Sequence, residues 1–396
     1  MDSTKNKSTV LIVDDTSENI DVLRGILKNT YKTQVAKNGL NALKIINSIH
    51  KPDLILLDIM MPDMDGYEVC RQIKSHPLTK DIPVIFITAK NEINDEKLGF
   101  DLGAVDYITK PVRPALVLRR VQAHLESYNQ KKKIADLLEQ TQQSIQFASL
   151  IQNAIIPDTT PLEALVKEYF TIWLPKDVVG GDIFLFETLR NNHEFLLMVI
   201  DCTGHGVPGA FITMLVKALE RQITSLIINR DEYISPANIM SFFNRSMKDI
   251  LKQESSLSIN NAGFDGGILY FNKDKNILKY SGSQTPLFII KNGELDVIKG
   301  DRHSVGYKNS DPSFQFKEHQ IMVSEGMKVY LTTDGFLDQN GGEKEFPYGR
   351  KRFNNMLLKN KDKSISEQKT IFLEELEKYQ GDHERNDDIT MIGLKF

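Results

Sequence analysis

Short apolar runs separated by helix-length amphipathic segments most restrict the fold of the first 125 residues. The runs are Val10–Val13, Leu54–Leu57, Val84–Ile87 and Val105–Ile108. Strands that are apolar on both faces are typical of a parallel sheet covered by helices on both sides. The pattern predicts an α/β unit over residues 1–125, with a doubly wound, five-stranded parallel sheet.

Polar residues follow the predicted strands at their carboxyl ends. They are Asp14 with Asp15, then Asp58, Thr88 and Lys110. In a doubly wound sheet, ligands bind where the carboxyl ends of the strands meet. Three carboxylates in one crevice repel each other unless a hard cation such as Mg²⁺ neutralises them. A cation, a hydroxyl and an ammonium group around one aspartate are what an aspartyl phosphate requires.

This arrangement resembles the response-regulator receiver domain, with Asp58 in the stretch PDLILLDIMMPDMDG. The resemblance implies that Asp58 is the phosphoacceptor and that a histidine kinase is the partner that phosphorylates it. It also implies that Asp14 and Asp15 bind Mg²⁺ with help from Asp58 and the backbone carbonyl of Met60. Taken alone, Asp14 could instead cap a helix.

The same resemblance assigns a switch to the remaining polar residues of the crevice. Thr88 and Lys110 would contact the phosphoryl group, Tyr107 would be the aromatic switch, and the Lys110–Pro111 bond would be cis. On its own, Thr88 could be an ordinary strand residue and Lys110 a surface charge, and a core aromatic would look the same as Tyr107.

A single long helix is predicted between the two halves, because Leu116–Ile156 contains no turn signal. Pro114 suits the first helical position, and Pro157 ends the helix. Seven positions are spaced alternately by four and three residues, as in a coiled-coil seam: Ile134, Leu138, Thr141, Ile145, Ala148, Gln152 and Ile155. We expect residues 126–156 to be a helical linker through which the chain forms a homodimer.

Residues 157–396 change to β-like segments with two apolar helical stretches, Pro208–Ile228 and Pro236–Leu251. Asn292–Gly293 marks a hairpin turn. Antiparallel strands with grouped helices predict an α+β domain. Four acidic motifs beside glycine or asparagine are spread through it, and each lies next to an apolar run: VGGD to Asp182, DCTGHG from Asp201, TDG around Asp334, and NDDIT with Asp387 and Asp388.

If these carboxylates converge, they form an oxygen-rich site without the histidines and cysteines of a zinc site. Oxygen ligands select Mg²⁺ or Mn²⁺. Two such ions close together can lower the pKa of a bridging water and hold a phosphoryl group for in-line attack.

The order of the motifs resembles the PPM-type serine/threonine phosphatases of the sporulation stage II protein E branch, most clearly in DCTGHGVPGAF. The resemblance implies an αββα sandwich that binds two or three Mn²⁺ or Mg²⁺ ions. Asp182 and Asp201 would bridge two of them, assisted by the carbonyl of Cys202. The other implied ligands are acids: Asp334 and Asp387 for one ion each, and Asp338 for an optional third.

Two further residues near these motifs take part in the implied chemistry. His205 is the candidate general acid for the leaving serine oxygen, although it could be a structural turn residue. Lys176 is the candidate for the arginine that binds phosphate in eukaryotic relatives. Asp387 and Asp388 are both candidates for the last ligand, and the Cys202 side chain is expected to be a buried apolar group.

Composition excludes several other classes. The chain has 49 Lys and Arg against 53 Asp and Glu, so it lacks the basic footprint of a nucleic-acid-binding protein. No apolar run is long enough to span a bilayer, and we expect no signal peptide and a cytoplasmic protein. Two cysteines suit a reducing cytoplasm.

The predicted function is a phosphatase of a two-component pathway, controlled by Asp58, whose substrate by family analogy is a phosphoserine anti-sigma-factor antagonist. The non-enzymatic alternative is a pseudophosphatase that sequesters a regulatory partner.

Overall fold

The computed structural model describes residues 7–88, 99–189, 192–228, 234–253 and 260–396. Contacts within the chain separate two compact units, Met1–Thr141 and Gln142–Phe396. The boundary between them falls inside the predicted helix. Among the described helices, none has both the length and the apolar composition needed to cross a bilayer.

The first unit contains a five-stranded parallel sheet in the order β2-β1-β3-β4-β5. The strands are β1 (Thr9–Val13), β2 (Lys32–Ala36), β3 (Leu54–Asp58), β4 (Val84–Thr88) and β5 (Asp106–Thr109). The helices are α1 (Ser17–Leu27), α2 (Gly39–Ile46), α3 (Gly66–Ser75) and the long α4 (Pro114–Ile155). Apolar clusters cover both faces of the sheet. The predicted doubly wound parallel sheet is therefore confirmed.

The second unit contains two five-stranded sheets. One has the order β13-β10-β9-β8-β7 and the other β12-β11-β14-β17-β6. Pairing within both is antiparallel, and their inner faces enclose one apolar cluster that includes Phe184, Leu197 and Leu331. The strands are β6 (Glu168–Leu174), β7 (Asp182–Leu189), β8 (Glu194–Cys202), β9 (Phe264–Asn272), β10 (Ile277–Ser283), β11 (Leu287–Lys291), β12 (Glu294–Ile298), β13 (His319–Met322), β14 (Lys328–Thr332), β15 (Asn340–Gly341), β16 (Phe346–Pro347) and β17 (Ile389–Lys395).

Helices cover the outer faces of both sheets, so the unit has the predicted α-β-β-α layers. The helices α5 (Gly206–Ile228) and α6 (Pro236–Ile250) pack on the first sheet around an apolar cluster that includes Val216 and Phe243. A second cluster, which includes Phe353 and Phe372, joins the other sheet to α8 (Gly349–Lys359) and α9 (Ile365–Gln380). A single turn, α7 (Gly335–Asp338), follows β14.

Local chemistry explains several element boundaries. Asn292 and Gly293 have positive φ angles of 53° and 80° and connect β11 to β12, as the hairpin prediction required. Ser364 and Glu367 form a reciprocal capping box at the start of α9. Pro114 is the first residue of α4. The helix ends at Ile155, within two residues of Pro157.

Two candidate sites

The first candidate site lies where the strands of the parallel sheet end. One oxygen each from Asp14, Asp15 and Asp58 lies within 4.8 Å of the others. Lys110 Nζ lies 2.9 Å from Asp58 Oδ1 and 3.1 Å from Asp14 Oδ2. Strand pairing explains the convergence, because β1, β3, β4 and β5 run in parallel and bring their carboxyl ends to one edge.

Several neighbours shift the pKa of the Asp58 carboxyl, in opposite directions. Burial raises the pKa of its carboxyl, the Lys110 ammonium lowers it, and the charges of Asp14 and Asp15 raise it again. Asp14 is fully buried and is held by Asn19 Nδ2 at 3.0 Å and by the Thr16 backbone N–H at 2.9 Å. A divalent cation would remove the repulsion among the three acids, so these residues fit the predicted Mg²⁺.

The other predicted residues of this unit lie next to the crevice. Thr88 ends β4 one residue beyond Ile87, the in-register neighbour of Asp58. Tyr107 lies on β5, and its ring and Thr88 line the same small pocket. The Lys110–Pro111 bond is cis, as predicted. Met60 lies two residues beyond Asp58 with an exposed side chain.

The second candidate site starts from a row of acids across three neighbouring strands. Asp182 on β7 is directly opposite Asp201 on β8, and Asp201 is directly opposite Asp265 on β9. Residues directly opposite each other in antiparallel strands project to the same face of the sheet with Cβ atoms about 5 Å apart, and like charges there are destabilising. The row therefore needs a compensating positive charge.

Acids from the second sheet face the same row. Asp334, at the start of α7, lies within hydrogen-bonding reach of Asp201, and its charge adds to that of Asp182 in raising the pKa of Asp201. Burial and then the charge of Asp387 raise the pKa of Asp338. Thr333 Oγ1 donates to Asp182 Oδ2 at 2.7 Å and thereby connects the two sheets.

The two adjacent acids Asp387 and Asp388 have different surroundings. Asp388 is buried, and its carboxylate accepts backbone N–H groups from Lys176 and Gly181, both at 2.6 Å. Asp387 raises the pKa of Asp201 and Asp334 through its charge. Asp388 thus anchors the loop before β7 through these two hydrogen bonds, and its charge also raises the pKa of Asp182, so both acids act on the set.

The electrostatics of this second set of acids indicate that it lacks a compensating positive charge. Burial, followed by the charges of neighbouring acids, raises the pKa of Asp201 well above its ordinary range, and burial is also the largest cause of the raised pKa of Asp182. In the part of the chain that the structure describes, no basic side chain forms an ion pair with the acids of this set. Oxygen donors without a cationic partner fit hard divalent ions.

The spacing of the second set differs from that of the first. Among the described residues, no three acids of the second set bring oxygens within 4.8 Å of one another, as Asp14, Asp15 and Asp58 do. This spacing is compatible with several ions that share acids in pairs.

Close backbone packing brings the motifs together. A Cβ atom on Gly181 would lie 2.1 Å from the Gly204 carbonyl oxygen and 2.9 Å from that of Cys202, so only glycine fits between the two motifs. Burial raises the pKa of the Cys202 thiol well above its ordinary range, which argues against a nucleophilic role.

His205 lies beside the acids in a chain of polar contacts. Its Nδ1 is 2.8 Å from Asp177 Oδ2, and its Nε2 is 3.4 Å from Lys176 Nζ. A carboxylate accepts and an ammonium group only donates, so the contacts place the ring proton on Nδ1 and a lone pair on Nε2. The side chains of both His205 and Asp177 are 49% exposed, which leaves them accessible to a substrate.

Sequence reasoning did not identify Asp265 and Asp177. Asp265 carries the same signal as the predicted acids, because Gly266 and Gly267 follow it at the edge of an apolar run. It begins its strand, however, and its role becomes visible only when β9 pairs with β8. Asp177 directly follows Lys176, and only the fold brings it to His205.

Two family models match this chain. The response regulator receiver domain matches residues 10–122, and stage II sporulation protein E (SpoIIE) matches residues 191–396, which is more than half of the chain. Together with the fold, they define a receiver domain followed by a metal-dependent protein phosphatase domain of the PP2C type. The chain belongs to the stage II sporulation protein E family.

A solved structure supports this assignment over the second unit. The SiaA-PP2C domain of Pseudomonas aeruginosa is 33% identical with a TM-score of 0.58, and the match covers 66% of this chain and 99% of that domain.

Curated relatives match a smaller part of the chain. The "Probable cyclic di-GMP phosphodiesterase" of Vibrio cholerae is 48% identical over 126 residues, which are 32% of this chain and 28% of that protein. The alkaline phosphatase synthesis transcriptional regulatory protein PhoP of Bacillus subtilis is 43% identical over 117 residues, which are 29% of this chain and 48% of that protein. The chain thus spans half or less of the length of these two relatives.

Proposed function

We propose that this phosphatase hydrolyses phosphoserine or phosphothreonine monoesters of a protein substrate with the help of two divalent cations, and that its receiver domain controls the reaction. The row Asp182, Asp201 and Asp265 is the observation that carries the proposal. Three acids in direct cross-strand register cost stability, and bound cations would offset that cost and supply the chemistry.

The proposed cation ligands all offer oxygen atoms. Asp182 and Asp201, which lie directly opposite each other on β7 and β8, would both hold cations. Asp338 and Asp265 flank these two acids and would serve a third ion. The remaining proposed ligands each serve one ion of the pair: Asp334, Asp387 and the carbonyl of Cys202.

When bound, Mn²⁺ or Mg²⁺ ions would lower the pKa of a water and offset charge on the phosphoryl group. The chain's own side chains would handle the rest of the reaction. Before the reaction, His205 would take up a second proton on Nε2. As water attacks phosphorus, the bond from phosphorus to the serine oxygen breaks, the serine oxygen takes the Nε2 proton, and the proton that the water loses restores it. Asp177 would orient the imidazole, and Lys176 Nζ would leave Nε2 to bind a phosphoryl oxygen.

The receiver is proposed to act through phosphorylation of Asp58. Lys110 would hold the phosphoryl group together with Thr88, Mg²⁺ would bind at Asp14 and Asp15, and Tyr107 would respond to the change. A cognate histidine kinase is the proposed phosphodonor, and a phosphoserine anti-sigma-factor antagonist is the proposed substrate class. The two buried free cysteines suit a reducing cytoplasm.

The proposal also assigns a role to the linker helix, which would connect the receiver to the phosphatase and form a dimer contact. We propose that residues 1–125 are the receiver, residues 126–156 the linker and residues 157–396 the phosphatase. Ile134, Leu137 and Leu138 are more than half exposed on α4. Their spacing suits a coiled-coil contact with a second copy of the chain.

Hydrolysis of a phosphoserine peptide with Mn²⁺ tests the proposed function. We expect inorganic phosphate to be released from the peptide and from p-nitrophenyl phosphate, and EDTA to stop both reactions. EDTA-treated protein that regains turnover when Mn²⁺ is restored is the matched control. A chain that binds the phosphopeptide but releases no phosphate would be a pseudophosphatase and would contradict the proposal.

A further inference from the structure

Gln339 is a fully buried glutamine that directly follows Asp338, the last residue of α7. Its amide contacts a distant segment of the chain: Nε2 donates to the Glu384 carbonyl at 3.1 Å, and Oε1 accepts from the Asn386 N–H at 3.2 Å. In return, Asn386 Nδ2 donates to the Asp338 carbonyl at 3.0 Å. The side chains of Gln339 and Asn386, which we call the amide pair, therefore join two segments that lie 47 residues apart in sequence.

The two segments that the amide pair joins carry acids of the second set. Asp334 and Asp338 lie at the two ends of α7, and Asp387 directly follows Asn386. Burial and then neighbouring acidic charges, that of Asp387 among them, raise the pKa of both Asp334 and Asp338. The acids are thus close enough to repel one another, and in the absence of cations this repulsion pushes the two segments apart.

The same two segments also touch at the start of α7. A Cβ atom on Gly335 would lie 1.9 Å from the Asp388 carbonyl oxygen, so the two backbones are packed there without room for a side chain. At the end of α7 the contact is made by hydrogen bonds of the amide pair. Gln339 is itself fixed there, because its carbonyl accepts the Tyr348 N–H at 2.9 Å. The amide pair thus holds the end of α7 against the segment that carries Asp387.

We propose that Gln339 and Asn386 are positioning residues that hold Asp338 and Asp387 at a fixed spacing and thereby raise the affinity of these acids for divalent cations. The inference rests on the proposed function only in taking the acidic set as a cation site. With the acids already held together, cation binding does not have to order the two segments, which strengthens it. Residues that orient metal ligands typically change metal affinity by about 10–100-fold.

Paramagnetic resonance of free Mn²⁺ offers a readout that does not depend on catalysis. The sharp signal of the free ion is lost on binding, so a titration of the full chain gives the midpoint for Mn²⁺. We would compare wild type with Gln339→Met, which keeps the side-chain length and removes the amide. The acids of the receiver are the same in both proteins, so their contribution to binding is equal.

Gln368→Met is the matched control. Gln368 on α9 is also fully buried, and its amide also makes hydrogen bonds in both directions: Nε2 donates to the Asn360 carbonyl at 2.7 Å, and Oε1 accepts from the Tyr330 hydroxyl at 2.6 Å. These partners lie after α8 and on β14, and neither is an acid of the second set. Both methionine variants therefore lose a buried amide, but only Gln339→Met loses one beside the acids.

The expected result is a midpoint for Mn²⁺ raised about tenfold or more in Gln339→Met and unchanged in Gln368→Met, although both variants melt at a lower temperature than wild type. Asn386→Leu removes the donor to the Asp338 carbonyl and should shift the midpoint in the same direction. Because the Asn386 side chain is only partly buried, this variant decides the matter if Gln339→Met does not fold.

Turnover of p-nitrophenyl phosphate by the amide-pair variants should be regained at saturating Mn²⁺, because the acids themselves remain. Equal midpoints in wild type and the amide-pair variants would overturn the inference. Equal shifts in Gln339→Met and Gln368→Met would also overturn it, because they would reflect a general loss of stability. A shift confined to the amide-pair variants, without any hydrolysis of phosphoserine peptides by wild type, would support the inference and overturn the proposed function.

Discussion

Replacing Asp201 with asparagine is expected to abolish phosphate-ester hydrolysis while stabilising the cation-free phosphatase unit. Asp201 is the central acid of the row, and losing a cation ligand should remove about 4 kcal/mol or more of transition-state stabilisation, which is roughly a 10³-fold loss of turnover. Turnover of p-nitrophenyl phosphate with saturating Mn²⁺ measures this loss.

The stability of the same variant should move in the opposite direction. Burial and neighbouring acids raise the pKa of Asp201 in the folded chain. An acid with a raised pKa favours folding only in its protonated form, so at neutral pH its ionised form opposes folding. Asparagine removes that charge, and the EDTA-treated variant should melt at a higher temperature than EDTA-treated wild type.

A matched control separates this effect from a general response to Asp→Asn changes. Asp296 is exposed on β12, and among the described residues its carboxylate accepts a hydrogen bond only from the N–H of the next residue. Asp296→Asn should retain wild-type turnover and melting temperature. Turnover in Asp201→Asn within tenfold of wild type would contradict the role proposed for the acidic row.

Replacing Asp58 with asparagine is expected to eliminate phosphorylation by acetyl phosphate. Lys110 Nζ lies 2.9 Å from Asp58 Oδ1, where it can offset charge on an incoming phosphoryl group, but an amide offers no anionic oxygen for attack on phosphorus. Intact-protein mass spectrometry should detect one added phosphoryl group on wild type and none on the variant.

The loop after β3 provides the control for this second prediction. Asp63 is an exposed acid five residues beyond Asp58 in sequence, and Asp63→Asn should be labelled like wild type. Hydrolysis by Asp58→Asn should also fail to respond to acetyl phosphate, whereas that of wild type should change. Undiminished labelling of Asp58→Asn would mean that the phosphorylated residue lies elsewhere in the chain.

The receiver half was predictable because its signals are local to each strand. A parallel sheet brings the carboxyl ends of its strands to one edge, so residues placed there by sequence are neighbours by topology. Asp14, Asp58 and Lys110 needed no further information. The α-β-β-α layers follow from the family resemblance. Ser364 and Glu367 form a capping signal at the start of α9 that can be read in the sequence. Helices α8 and α9 are nevertheless not among the predicted elements.

The second site depends on the pairing of strands that are far apart in sequence, and no local sequence pattern specifies that pairing. Asp265 is brought beside Asp201 by the register of β8 and β9, which are separated by two helices along the chain. Asp387 and Asp388 are equivalent in sequence, and only the backbone N–H groups of Lys176 and Gly181 distinguish them. Gln152 fits the heptad pattern of a coiled coil with a second copy of the chain. In the structure, however, its side chain is buried and contacts Gly180 of the same chain.

Electron paramagnetic resonance of the Mn²⁺-loaded chain tests the central claim most directly, because two Mn²⁺ ions a few ångströms apart couple magnetically. Our account predicts the spectrum of a coupled pair in wild type, retained in Asp58→Asn and lost in Asp201→Asn. A wild-type spectrum that shows only isolated Mn²⁺ ions at saturating metal would contradict it.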